Sequence, residues 1–250
     1  MADDTRIGGV DDRFPATLHS VIAGVQSALS EERTRAYDRI ISSYWKPVYK
    51  YIRVKWGKTN EEAKDLTQGF FLRVMEKEFF RTYNPGKARF RTFLRVCLDR
   101  FVANEAQSAA RLKRGGEIQF VSLDFQSADQ EFLTSEPPSP DTIEKYFEQE
   151  WVRSLFSSAL VLMKEQCSVE GKDIHFSIFS RYHLADEEES SRLSYDSIAA
   201  EFGIPVTTLT NHLAYGRREF KRIVLQQLRE LTATEAEFRE EARSLLGVEL

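Results

Sequence analysis

Tyr37, Ile40, Ile41, Tyr44, Val48, Tyr51 and Ile52 recur at intervals of three and four along one stretch of the chain. A helix turning every ~3.6 residues gathers such positions on one side, which predicts an amphipathic helix with one face to bury. Pro47 lies inside this stretch and is expected to bend it. The same spacing returns in Ala63, Leu66, Phe70, Phe71, Val74 and Met75, and again in Phe90, Phe93, Leu94, Leu98, Phe101 and Val102. Thr59 or Asn60 can cap the second helix, whose first turn carries Glu61 and Glu62, and Asn84-Pro85-Gly86-Lys87 is a turn ahead of the third. Helical periodicity dominates, so the expected fold is all-α.

Gly115-Gly116 closes this first helical set. Residues 117–140 read as an acidic linker with little regular structure, apart from a short extended piece at Ile118 to Leu123. A long helix is expected from about Asp141, carrying Ile143, Phe147, Trp151, Leu155, Leu160 and Leu162, and another over Ile174 to Leu184. Ser194 then caps Tyr195 to Phe202, Gly203 ends that helix, and Ile204-Pro205-Val206 leads into a helix through Leu209, Leu213, Phe220, Ile223 and Val224. Helix, glycine turn and helix are the pattern of a helix-turn-helix, with Ala199 small at the crossing and Ile198, Leu209 and Leu213 fixing the angle. A last amphipathic helix covers Ala233 to Leu246. The chain divides into an N-terminal extension with a short helix (1–29), a helical domain (30–116), the linker (117–140) and a second helical domain (141–250).

Of the 250 residues 42% are hydrophobic, enough to build packed cores. No stretch approaches the ~20 apolar residues of a membrane span, and the start of the chain lacks the basic and apolar run of a secretory signal, so a cytoplasmic location is expected. Cys97 and Cys167 are expected to be free thiols. The net charge of −4 argues against nucleic acid, but Lys87 to Arg114 holds eight basic residues against Asp99 and Glu105, a local balance of +6. Phosphates meet such a local face and not the net charge. The acidic run Asp186 to Glu189 reads as a solvated loop, and Cys167, His175 and His183 match no zinc spacing. There is no phosphate-binding glycine loop and no nucleophile elbow, so no catalytic residue, metal or cofactor is expected.

Residues 193–222 read LSYDSIAAEFGIPVTTLTNHLAYGRREFKR, with Leu193-Ser194-Tyr195, Ile198-Ala199, Gly203-Ile204-Pro205-Val206, Thr208-Leu209, Leu213 and Arg217-Arg218 as the informative positions. The first half holds Tyr44-Trp45-Lys46-Pro47-Val48-Tyr49, Ala63-Lys64-Asp65-Leu66-Thr67-Gln68-Gly69-Phe70-Phe71 and Phe90-Arg91-Thr92-Phe93-Leu94. In order and spacing this resembles the sigma-70 family of RNA polymerase sigma factors, of the extracytoplasmic-function type. The resemblance implies a protein without catalysis of its own, whose partners are core polymerase and promoter DNA; an anti-sigma factor is a further partner the family allows. It implies core-polymerase contact by Asp65 and Gln68, with Lys64 and Arg73 on the same helix, and places Arg100 and Asn104 as readers of the downstream (−10) element. Arg91 and Arg95 would neutralise phosphate beside them, and Tyr83 is a candidate to receive an unstacked base, as are Phe90 and Phe93 unless they serve the core. For the upstream (−35) element Thr207, Thr210, Asn211, His212 and Tyr215 face away from the apolar stripe, with Arg217, Arg218, Lys221 and Arg222 placed for phosphate. Thr210 and His212 depart from the basic residues usual in the family. Gly69, costly inside a helix, would suit the close approach of a partner backbone. The acidic linker could mimic nucleic acid in the polymerase channel. The alternative is a helix-turn-helix regulator that never touches polymerase.

Overall fold

The structure is a computed structural model and describes residues 21–25, 29–108, 123–134, 142–185 and 194–247. Every regular element among them is helical: α1 (Val21–Gly24), α2 (Ser30–Lys55), α3 (Asn60–Glu76), a 3₁₀ turn (Phe79–Thr82), α4 (Phe90–Ser108), α5 (Phe125–Thr134), α6 (Ile143–Val169), α7 (Asp173–His183), α8 (Tyr195–Phe202), α9 (Val206–Leu231) and α10 (Glu235–Leu246). None of these helices is long and apolar enough to cross a membrane. Four features read from the sequence lie outside the described residues: the basic pair Lys113 and Arg114, the extended piece from Ile118 to Ser122, the proline-rich end of the linker and the acidic run Asp186 to Glu189.

α2 opens with Glu31 and Glu32 and closes with Arg53 and Lys55, the order its dipole favours, and it runs unbroken through Pro47. Thr59 caps α3: its hydroxyl accepts from the Glu62 amide while the Glu62 carboxylate accepts from the Thr59 amide. The bond from the Thr59 backbone, then Lys58, holds the Glu62 carboxyl down at about 2.

The apolar stripe of α2 is covered by α1 and α3 and, over much of its length, by α6, while Tyr44 also meets Phe90 of α4 edge-on. Tyr44 stacks on Trp151 with ring centres 6.3 Å apart, and Tyr51 meets Phe147 edge-on at 5.3 Å. Each such burial contributes roughly 1.5–3 kcal/mol. One buried apolar cluster thus runs from Ile22 to Ala242, and α6, which begins beyond the linker, closes the core of the N-terminal helices.

Within 117–140 the structure differs from the linker expected there, because α5 forms. Asp124 accepts from the Ser127 amide at 3.0 Å and caps its first turn. Phe125 and Ala128 are buried, and the Phe125 ring packs edge-on against Trp45 and Tyr49. Burial of that face outweighs the weak helical tendency of so short a segment.

At the other end Ile178, Ile198, Ala199, Leu209 and Leu213 form a second buried cluster joining α7, α8 and α9. The Ser194 and Ser197 side chains cap α8 reciprocally, and Gly203 ends it in the left-handed conformation at φ 63°, with the Ile204 amide donating to the Ala199 carbonyl at 3.0 Å. Gly216 sits where α9 crosses α7. A β-carbon there would lie 2.8 Å from the Phe179 ring, so only glycine permits this approach.

Candidate functional site

Three surfaces carry the residues singled out from the sequence. The first is α3. Asp65 and Arg73 are exposed, Gln68 is half-buried, and the Lys64 ammonium donates to Glu61 at 2.7 Å. Asp65 and Gln68 lie three residues apart and share a face. Neither Asp65 nor Arg73 has an ion pair among the described residues, so their charges stay available to a partner. At Gly69 a β-carbon would meet the Phe101 ring of α4 at 3.4 Å, an ordinary van der Waals distance, so the packing of α3 on α4 does not itself require glycine.

The second surface is α4, and here the structure rearranges what the sequence suggests. Arg91 is buried: its guanidinium lies 2.6 Å from the Glu241 carboxylate of α10 and over the Trp151 ring at 4.7 Å. Arg89 reaches the same carboxylate at 2.8 Å, and Arg95, 13% exposed, donates to Glu144 of α6 at 2.7 Å. Glu241 is 2% exposed, so lending Arg91 to a phosphate would leave a buried carboxylate with only the more exposed Arg89 to compensate it, which is costly. Tyr83 is also buried. Its hydroxyl donates to the Ala88 carbonyl at 3.0 Å, and its ring lies 5.2 Å from Phe90 and 5.3 Å from Phe93. Arg91 and Tyr83 are therefore packed into the core of this structure, and Phe90 and Phe93 belong to the same aromatic cluster. Arg100 and Asn104 stay exposed one turn apart, with Val96 a turn before them and Phe101 half-buried alongside.

The third surface is the first half of α9. Thr207, Thr210 and Asn211 are exposed at the helix start, and Arg217, Arg218 and Lys221 are exposed further along. Thr210 donates to the Thr207 carbonyl at 2.8 Å and keeps its oxygen lone pairs free. His212 and Tyr215 turn instead toward the start of α7. The His212 ring lies 4.1 Å from that of His175, and the Tyr215 hydroxyl accepts from the Lys172 ammonium at 3.2 Å. These two help fix α9 on α7 and are half-buried. The Arg217 guanidinium donates to His183 Nε2 at 3.2 Å and lies over the Tyr182 ring at 5.5 Å.

Burial, then His212 and Lys172, pulls the His175 imidazole below its ordinary 6.5, and burial, then Arg217, does the same to His183. Below that value the unfolded chain takes up protons that these folded imidazoles refuse, so stability falls as pH falls through about 6.5. The urea midpoint is expected to drop between about pH 7.5 and about pH 5.5, and a His175→Gln, His183→Gln chain should lose most of that drop. An equal drop in both would remove the histidines as its cause.

What a single sequence could not supply is the set of carboxylates over the basic helices. Asp129 of α5 accepts from Tyr49 at 2.8 Å and pairs with Arg53, and Glu131 accepts from Lys46 and Lys50 at 2.7 and 2.8 Å. The acidic residues of α5 that might have stood in for nucleic acid are thus engaged by α2. No protein-family model matches the chain, and neither does any curated protein or solved structure.

Proposed function

We propose that this chain is a transcription initiation factor working through two surfaces, one for a protein and one for DNA. More particularly, we read it as an RNA polymerase sigma factor of the sigma-70 family, extracytoplasmic-function type, which binds the core enzyme through α3 and promoter DNA through α4 and α9. The observation that carries the reading is the face of α9: Thr207, Thr210 and Asn211, short hydrogen-bonding side chains able to meet base edges, precede Arg218 and Lys221 on the same exposed helix. Neither Arg218 nor Lys221 has an ion pair among the described residues, so both are free for phosphates. Together Gly203 and Pro205 give α8 and α9 the connection of a helix-turn-helix.

In this reading the downstream element is met by Arg100 and Asn104, with Phe101 beside them, while Arg89, Arg91 and Arg95 hold the fold. The polymerase carries out nucleotidyl transfer, and this chain contributes positioning and strand capture. Replacing Arg218 and Lys221 together by alanine should weaken DNA binding at every sequence tested and make the plot of log affinity against log salt shallower by about two units. Fluorescence anisotropy across a salt series reads this. An unchanged slope would take both residues out of the phosphate set.

A further inference from the structure

Between α6, α7, α9 and α10 lies a cavity of about 370 Å³ that opens to solvent and shares only Arg217 and Lys221 with the exposed surface of α9 described above. Phe156 and Leu160 of α6, Phe179 of α7, Phe220 of α9 and Leu246 of α10 form its walls. The Phe220 ring meets Phe156 at 5.7 Å and Phe179 at 5.5 Å, which gives the cavity a packed aromatic floor. A space of this size is within the range of small-ligand sites, and side chains facing it lack the dispersion contacts that an occupant would supply.

Its rim is basic. Arg217 and Lys221 stand one helical turn apart on α9, both exposed and both lining the cavity, and neither has a carboxylate partner among the described residues. Like charges at that spacing repel each other, and an anion between them would relieve the repulsion. His183, also at the rim, accepts from Arg217 through Nε2 and so adds no positive charge there.

We propose that this cavity binds a small amphipathic carboxylate, its apolar body among Phe156, Leu160 and Phe220 and its carboxylate held by Arg217 and Lys221. Apolar walls alone would take any oily molecule. The cationic pair at the mouth selects an anionic head.

Calorimetric titration of the full chain with decanoate, decanol and acetate tests this. Decanoate is expected to bind saturably and at least about tenfold more tightly than decanol, and acetate not to bind measurably. Lys221→Gln, on an exposed side chain, should bring decanoate to within about twofold of decanol, and Leu160→Trp, which fills the cavity, should abolish binding of both. Absence of saturable decanoate binding, equal affinity for decanol in the unaltered chain, or a Lys221→Gln chain that keeps the full preference would each overturn the proposal. The titration contains neither DNA nor polymerase, so its failure would leave the reading of α3 and α9 where it stands.

Discussion

Trp151→Ala is expected to lower stability by about 3–5 kcal/mol and to do so throughout the chain. Trp151 is 2% exposed, stacks on Tyr44 of α2 and lies under the Arg91 guanidinium of α4, which α10 also holds. Truncation would open a cavity shared by the two halves of the sequence. Urea denaturation gives the size of the loss. Hydrogen exchange gives its reach, because the opening free energy should fall by the same amount at Ile40 in α2 and at Val224 in α9. Protection lost in α2 but retained in α9 would mean that the two halves unfold independently and that the shared core contributes little to their union.

Lys50→Met should lower stability by about 3 kcal/mol, and adding Glu150→Leu should restore most of it. The two side chains are 3% and 2% exposed and meet at 2.8 Å between α2 and α6. Removing the ammonium leaves the Glu150 carboxylate buried with only Arg153, a largely exposed partner, to compensate it. Removing both charges deletes the desolvation cost along with the attraction, which is why the double variant recovers. A single variant within about 0.5 kcal/mol of the unaltered chain would show that water reaches this site.

Most of the helices were legible in the sequence because they present an apolar stripe at helical spacing, and α3 and α8 add a cap of recognisable chemistry. Thr59 before Glu62 and Ser194 before Gly203 are local signals, complete within a few residues. The small cluster of Ile198, Ala199, Leu209 and Leu213 was legible for the same reason, although its fifth member, Ile178, comes from α7. Contacts between distant elements were not legible. Nothing local marks Glu144 and Glu241 as partners for the arginines of α4, which are read more naturally as a face for phosphate. α5 escaped notice because Phe125 and Ala128 sit in an acidic stretch bordered by prolines, and its helix depends on Trp45 and Tyr49 being there to cover it. The same distinction holds on α9: periodicity shows which side chains leave the core, but the turning of His212 and Tyr215 toward α7 depends on where α7 lies.

The most direct test is the affinity of the purified chain for core RNA polymerase at moderate salt, measured beside Asp65→Ala. A sigma factor gripping the enzyme through α3 should form a stable complex, and loss of the exposed Asp65 carboxylate should weaken it at least about tenfold while the helical circular dichroism stays unchanged. A chain that binds DNA yet never associates with the polymerase would instead be a regulator of another kind, and equal affinity in the two proteins would remove α3 as the point of attachment.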